Sequence, residues 1–138
     1  MASQLKVDTL TGVTTAGSID VTGEGNSTTT NLQQGLAKAW INFDGSASGA
    51  AARGSFNLAS MTDTSTGVYV CNLTNAFANT NDCAATSSAS ASTSGSDNRN
   101  ISTTITSTSA IDSRTSNAAS GAVLDAVVNN VSAHGDLA

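Results

Sequence analysis

The side chains able to do chemistry are few in this 138-residue chain, and their spacing is poor for it. His134 is the single histidine, so any nucleophile–base arrangement would have to be built on it. Its setting, Ala133-His134-Gly135-Asp136, carries no nucleophile motif around a serine, and an exposed or interface histidine is the simpler reading. The ten acidic residues run singly from Asp8 to Asp136. None is spaced as a calcium loop or as a general acid–base pair. Asp20-Val21-Thr22-Gly23-Glu24-Gly25-Asn26 holds glycines, but no Lys or helix follows to cradle a phosphate, and it reads as a turn. The four Asn-X-Ser/Thr triplets, at Asn26, Asn72, Asn100 and Asn130, are what chance supplies in a chain this rich in Ser, Thr and Asn. No catalytic residue, metal ligand or cofactor site is assigned, and the chain is not expected to be an enzyme.

Cys71 and Cys83 are the only cysteines. One reading is a pair of reduced, mostly buried thiols. The other is a cross-strand disulfide formed after release into oxidising surroundings. A hairpin centred near Phe77 would set the two opposite each other. Two Cys with one distant His make a poor zinc set. Trp40 and Tyr69 could act as a sugar-stacking pair, although packing in a core or between subunits is the simpler use of scarce large groups.

The elements that would position these groups are short strands. Leu36 to Phe43 alternates, with Ala37, Ala39, Ile41 and Phe43 on one face and Leu36, Lys38, Trp40 and Asn42 on the other, which is the period of a strand. Val68 to Leu73 alternates in the same way, Val68, Val70 and Asn72 against Tyr69, Cys71 and Leu73. Further strands are expected at Leu5–Leu10 (or an extended arm), Ser18–Thr22 and Asn100–Ser107, with Ile111–Thr115 extending the last or starting another, and Ser55–Ser60 is short and apolar at Phe56 and Leu58. Cys83 to about Ser90 would pair back on Val68–Leu73. Asp44–Gly54 reads as a surface loop, 62–67 as a tight turn, 75–81 as a loop, and Ala84–Asn98 as a candidate flexible loop. Leu124, Val127, Val128 and Val131 fit the spacing of a helix, Val127, Asn129, Val131 and Ala133 that of a strand, and β-branching with the surrounding pattern favours the strand.

Composition agrees with an all-β chain. Ser and Thr make roughly three residues in ten, well above ordinary usage, while charged residues are 11% and Pro is absent. Thr favours strands; Ser, Asn and Gly favour turns. The fold class expected is an antiparallel β-sandwich, jelly-roll-like, over 34–138, with residues 1–33 as an extended arm. Apolar content is thin, so association with identical copies is expected to supply stability. Net charge is −5 with only five Lys and Arg, which argues against nucleic acid. No run suits a membrane span or a signal peptide, so synthesis in a cytosol is expected.

The segment Gln34-Gly35-Leu36-Ala37-Lys38-Ala39-Trp40-Ile41-Asn42-Phe43-Asp44-Gly45 resembles small virion structural proteins of tailed bacteriophages, of the marine-phage and cyanophage type. Arg53, Ser55-Phe56-Asn57, Thr62-Asp63, Gly67-Val68-Tyr69 and Asn75-Ala76-Phe77 continue the likeness. Leu5 to Leu10 and Val131 to Asp136 extend it more loosely. The resemblance implies a homotrimeric, tail-fibre-like appendage on the virion surface, made in the host cytoplasm, whose partners are its own copies and other tail or capsid proteins. A capsid decoration or cement protein is the first alternative, and a module binding host surface glycan through Trp40 or Tyr69 the second. Neither nucleic acid nor membrane is an expected partner. Trp40, Phe43, Phe56 and Tyr69 are assigned to the core or to a subunit interface, and a buried Trp40 would make Trp40→Ala cost roughly 3–5 kcal/mol.

Overall fold

The computed structural model describes residues 4–13, 19–23, 28–91 and 99–138, without the side chains of residues 33 and 34. Ser18, the turn residues 24–26 and residues 92–98 of the expected flexible loop lie outside the described residues. The chain divides into two compact units between Leu36 and Ala37.

In the first unit, residues 4–13 form no strand with any described residue, despite the alternation at Leu5–Leu10. Leu5, Val7, Leu10 and Val13 are all exposed. Strand β1 (Asp20–Thr22) pairs with β2 (Thr29–Asn31), and one helical turn, α1 (Leu32–Gly35), follows.

The second unit is a sandwich of eight antiparallel strands. They are β3 (Ala37–Asp44), β4 (Ala51–Phe56), β5 (Leu58–Ser65), β6 (Val68–Leu73), β7 (Cys83–Ser90), β8 (Arg99–Ser107), β9 (Ala110–Asn117) and β10 (Val128–Gly135). One sheet has the order β4-β3-β10-β7, the other β5-β6-β9-β8. Eight strands in two sheets of four match a jelly roll in number, but the order differs. Hairpins β3–β4, β5–β6 and β8–β9 stay within a sheet, and of a jelly roll's nested pairs β3–β10 is present. The C-terminal segment is a strand, as its β-branching suggests.

Period-two alternation fills the space between the sheets. Ala39, Ile41 and Phe43 from β3 and Val131 and Ala133 from β10 meet Tyr69, Cys71 and Leu73 from β6 and Ile111 from β9. The Phe43 and Tyr69 rings meet edge to face with centroids 5.1 Å apart, a favoured aromatic geometry. Phe77 closes one end of the core. Its strand-like bridge to Leu137 and the bonds from Ala78 N to Asp136 O and Ala138 N to Ala76 O hold the 74–82 crossing in place.

Several expectations are corrected here. The strand expected over Cys83–Ser90 forms as β7, but it pairs along its whole length with β10 and not with β6, and Ala84–Ser90 is therefore no flexible loop. The Asp44–Gly54 loop is shorter, because β4 begins at Ala51 and pairs with β3 across a bulge at Arg53. The 62–67 turn shrinks to Thr66-Gly67, since β5 runs on to Ser65. Ser55–Ser60 is broken at Asn57, which sits at φ 62° and passes the chain from one sheet to the other. Asn tolerates this left-handed conformation. Its side chain secures the corner, donating to Lys38 O and Asn75 O and accepting from Asn75 N.

Candidate functional site

The four aromatic residues assigned to core or interface separate into two pairs. Phe43 and Tyr69 are wholly buried between the sheets. Trp40 and Phe56 are 46% and 51% exposed on the outer face of β4-β3-β10-β7, so neither belongs to the core of one chain. The cause is register. Trp40 alternates with Ile41 and Phe43, whose side chains take the inner face, and Phe56 is the cross-strand partner of Trp40. Tyr69 is therefore corrected as a stacking platform for a sugar, being enclosed on every side.

The expected Cys71–Cys83 hairpin does not form. The chain crosses between sheets after β6, so Cys71 pairs with Met61 and Ile111 while Cys83 pairs with Gly135 in the other sheet. Both thiols are free. Burial, with Asp112 nearby, pushes Cys71 up to about 12. The Cys83 thiol donates to Asn79 O and Thr80 O, and burial with Asp82 raises it also. His134 is exposed near the end of β10. Among the described residues no three of His, Cys, Asp and Glu gather as a metal site.

Among the described residues, an open surface groove lies beside Trp40. Registers across three strands produce two adjacent rungs on the outer face: Trp40–Ser132–Thr86 and Asn42–Asn130–Ser88. The lower rung is tied across the sheet. Asn42 Nδ2 donates to Asn130 Oδ1 at 2.6 Å, and Asn130 Nδ2 donates to Ser88 Oγ at 3.2 Å. These residues line an open groove of about 380 Å³. On the other flank, Gly54 lies beside the indole, where a Cβ would make an ordinary contact 3.5 Å from Trp40 Cζ3. At the end of β3, Asp44 binds Arg53 at 2.6 Å and accepts from Ser46 N and Oγ. The Ser46 hydroxyl bond chiefly holds the Asp44 carboxyl below its usual value.

The position of Trp40 sets its energetic weight. Trp40→Ala removes a half-exposed ring from an outer face and leaves no cavity between the sheets, so its expected cost is about 1 kcal/mol, not the cost of a core truncation. Urea unfolding followed by circular dichroism measures this; a loss of several kcal/mol would return the ring to a packing role.

Sequence reasoning placed Trp40 on the face opposite Ala39, Ile41 and Phe43, with Lys38 and Asn42, although Lys38 on that face is itself buried. It missed Ser132, Thr86, Asn130 and Ser88, because strand order alone brings β10 and β7 beside β3. It also missed Asp125, which accepts from Gly67 N at 2.7 Å and from the Tyr69 hydroxyl at 2.9 Å. Comparisons with protein-family models, with curated proteins and with solved structures find no match for this chain.

Proposed function

We propose that this chain is a structural protein of a tailed-phage virion, a homotrimeric, tail-fibre-like surface appendage without catalytic activity. The observation that carries the reading is where the large apolar groups go. In a chain with 4% aromatic residues, Trp40, Phe56, Leu5, Val7, Leu10 and Val13 are spent on exposed surface. Apolar groups placed outside are the usual material of subunit contacts. The all-β sandwich with small Ser- and Thr-rich strands suits close packing of copies. The resemblance over residues 34–77 supplies the biological setting: synthesis in the host cytoplasm, then residence on the particle among other tail or capsid proteins.

A decoration or cement protein of the capsid would use the same surfaces. Copy number separates the two. Quantitative mass spectrometry of purified virions is expected to find this chain at a few per cent of the major capsid protein or less. Abundance comparable to that protein would favour decoration of the shell, and absence from the particle would remove both readings. Sedimentation equilibrium of the purified chain is expected to give the mass of a trimer.

A further inference from the structure

The four outermost strands of the sandwich differ in how their open edges are guarded. A strand at a sheet edge presents a row of backbone N–H and C=O groups to any incoming strand, and proteins block it with charge, Pro or a bulge. β4 carries Arg53 and a register shift against β3. β5 carries Asp63 and two shifts against β6. β8 begins at Arg99 and shifts against β9 between Ile105 and Ser107. β7 has none of these. Its stretch Cys83–Ser90 includes no charge and no Pro, and it runs in unbroken register with β10. Among the described residues no strand lies on its other side.

The flank of the core beside β7 is thinly covered. The inward side chains there are Ala85, Ser87 and Ala89, all small and half-buried. Ser87 accepts from Thr103 Oγ1, which sets β7 over β8, and on β8 the neighbours Ile101 and Ile105 are only half-buried. A strand added along β7 would close this flank if its inward residues were large and apolar. Residues 5–13 have that pattern: Leu5, Val7, Thr9, Thr11 and Val13 fall on one face, with Lys6, Asp8, Leu10 and Gly12 on the other. All of the first set but Leu5 are β-branched, as strands favour, and no Pro interrupts them. Leu5, Val7 and Val13 are exposed, and the segment pairs with no described strand. It is long enough to run the whole of β7.

We propose that residues 5–13 of one copy add as a further strand to the open edge of β7 in a neighbouring copy, with the Leu5–Val13 face turned toward Ile101 and Ile105. The inference rests on the reading that the chain associates with identical copies, and it names the contact. Strand addition takes its affinity from main-chain hydrogen bonds and its specificity from alternate side chains, and the small inward residues of β7 leave room for large ones. Two different surfaces meet, arm and edge, so the contact is heterologous and builds a ring where its rotation closes. Pairing of two β7 edges with each other would instead be isologous and stop at two copies. It would also set small residues beside small residues and leave the isoleucines open.

The test compares the full chain with a variant carrying both Val7→Pro and Asp8→Pro, by sedimentation equilibrium and by amide hydrogen exchange. Successive N–H groups of a strand point to opposite edges, so one of the two prolines removes a bond to β7. The parent is expected to sediment as an oligomer, with slow exchange over both 5–13 and 83–89. The variant is expected to fall to the mass of one chain and to exchange rapidly over both segments, while the circular dichroism of the sandwich stays unchanged. An oligomer that persists in the variant overturns the strand addition and leaves association itself standing. So does a parent oligomer whose residues 5–13 exchange as fast as an unfolded chain. A parent that sediments as one chain overturns both readings.

Discussion

Gly67→Ala is expected to destabilise the sandwich by roughly 3–5 kcal/mol, enough to unfold a marginal domain. Gly67 turns β5 into β6 at φ 67°, and an L-residue held in that region costs about 1–2 kcal/mol. The larger part is steric. A Cβ would lie 2.7 Å from Thr115 O, 2.7 Å from Leu124 O and 2.9 Å from Leu124 N. All three are backbone atoms, and they are not free to retreat. Thr115 N donates to Gly67 O, Leu124 N donates to Thr115 O, and Thr115 Oγ1 donates to Leu124 O. Moving any of them breaks a bond in the same knot.

A second glycine separates strain from collision. Gly121 has nearly the same φ, 69°, but a Cβ there meets nothing within 4 Å. Gly121→Ala is expected to cost only the conformational penalty, about 1 kcal/mol. Urea midpoints of both variants against the parent chain decide the matter. Equal losses at the two sites would mean that the Gly67 turn relaxes freely and that the knot around Asp125 and Thr115 is not rigid.

The contrast between these turns shows what the sequence could and could not disclose. Alternation exposes a strand when one face carries large groups and the other does not; β3 and β6 satisfy that, while β10 fits a helix as well and is favoured as a strand by its β-branching. Their inner residues Ile41, Phe43, Tyr69, Cys71 and Val131 were recognisable as a core. β4, reading Ala-Ala-Arg-Gly-Ser-Phe, has no such contrast, and in β7, Cys-Ala-Ala-Thr-Ser-Ser-Ala-Ser, both faces are small. Those strands exist because a neighbour offers them a ladder, which is information held elsewhere in the chain. The same limit governs the groove and Asp125. Asn42 and Asn130 are bonded across 88 residues, and Asp125 reaches Tyr69 across 56. Neither separation leaves a local pattern. The hairpin that would have set the cysteines opposite each other fails for a related reason: two cysteines twelve positions apart look like a hairpin pair only if the chain stays in one sheet, and here it crosses to the other, leaving both as the free thiols of the first reading.

The second large effect is alkaline lability. The Tyr69 hydroxyl is sealed in the core, donating to Gly45 O at 3.2 Å and to Asp125 Oδ1 at 2.9 Å. Burial first, and then the Asp125 carboxylate, push its ionisation well above the ordinary value near 10. Cys71 is moved the same way, from about 9 to about 12, chiefly by burial. In both cases the folded chain holds a proton that the unfolded chain gives up. The stabilisation is therefore complete below about pH 9 and falls as pH rises, first through Cys71 and then, above about pH 10, through Tyr69 as well. Each such group costs about 1.4 kcal/mol per pH unit, so a loss of roughly 3–4 kcal/mol is expected between pH 8 and pH 11. Urea unfolding across that interval measures it. Cys71→Ala should begin with lower stability at pH 8, from lost packing, yet decline less steeply between pH 9 and pH 10. A profile that stays flat to pH 11 would mean that water reaches both groups in the folded chain, and with it that the Phe43–Tyr69 contact is not the closed centre of the sandwich.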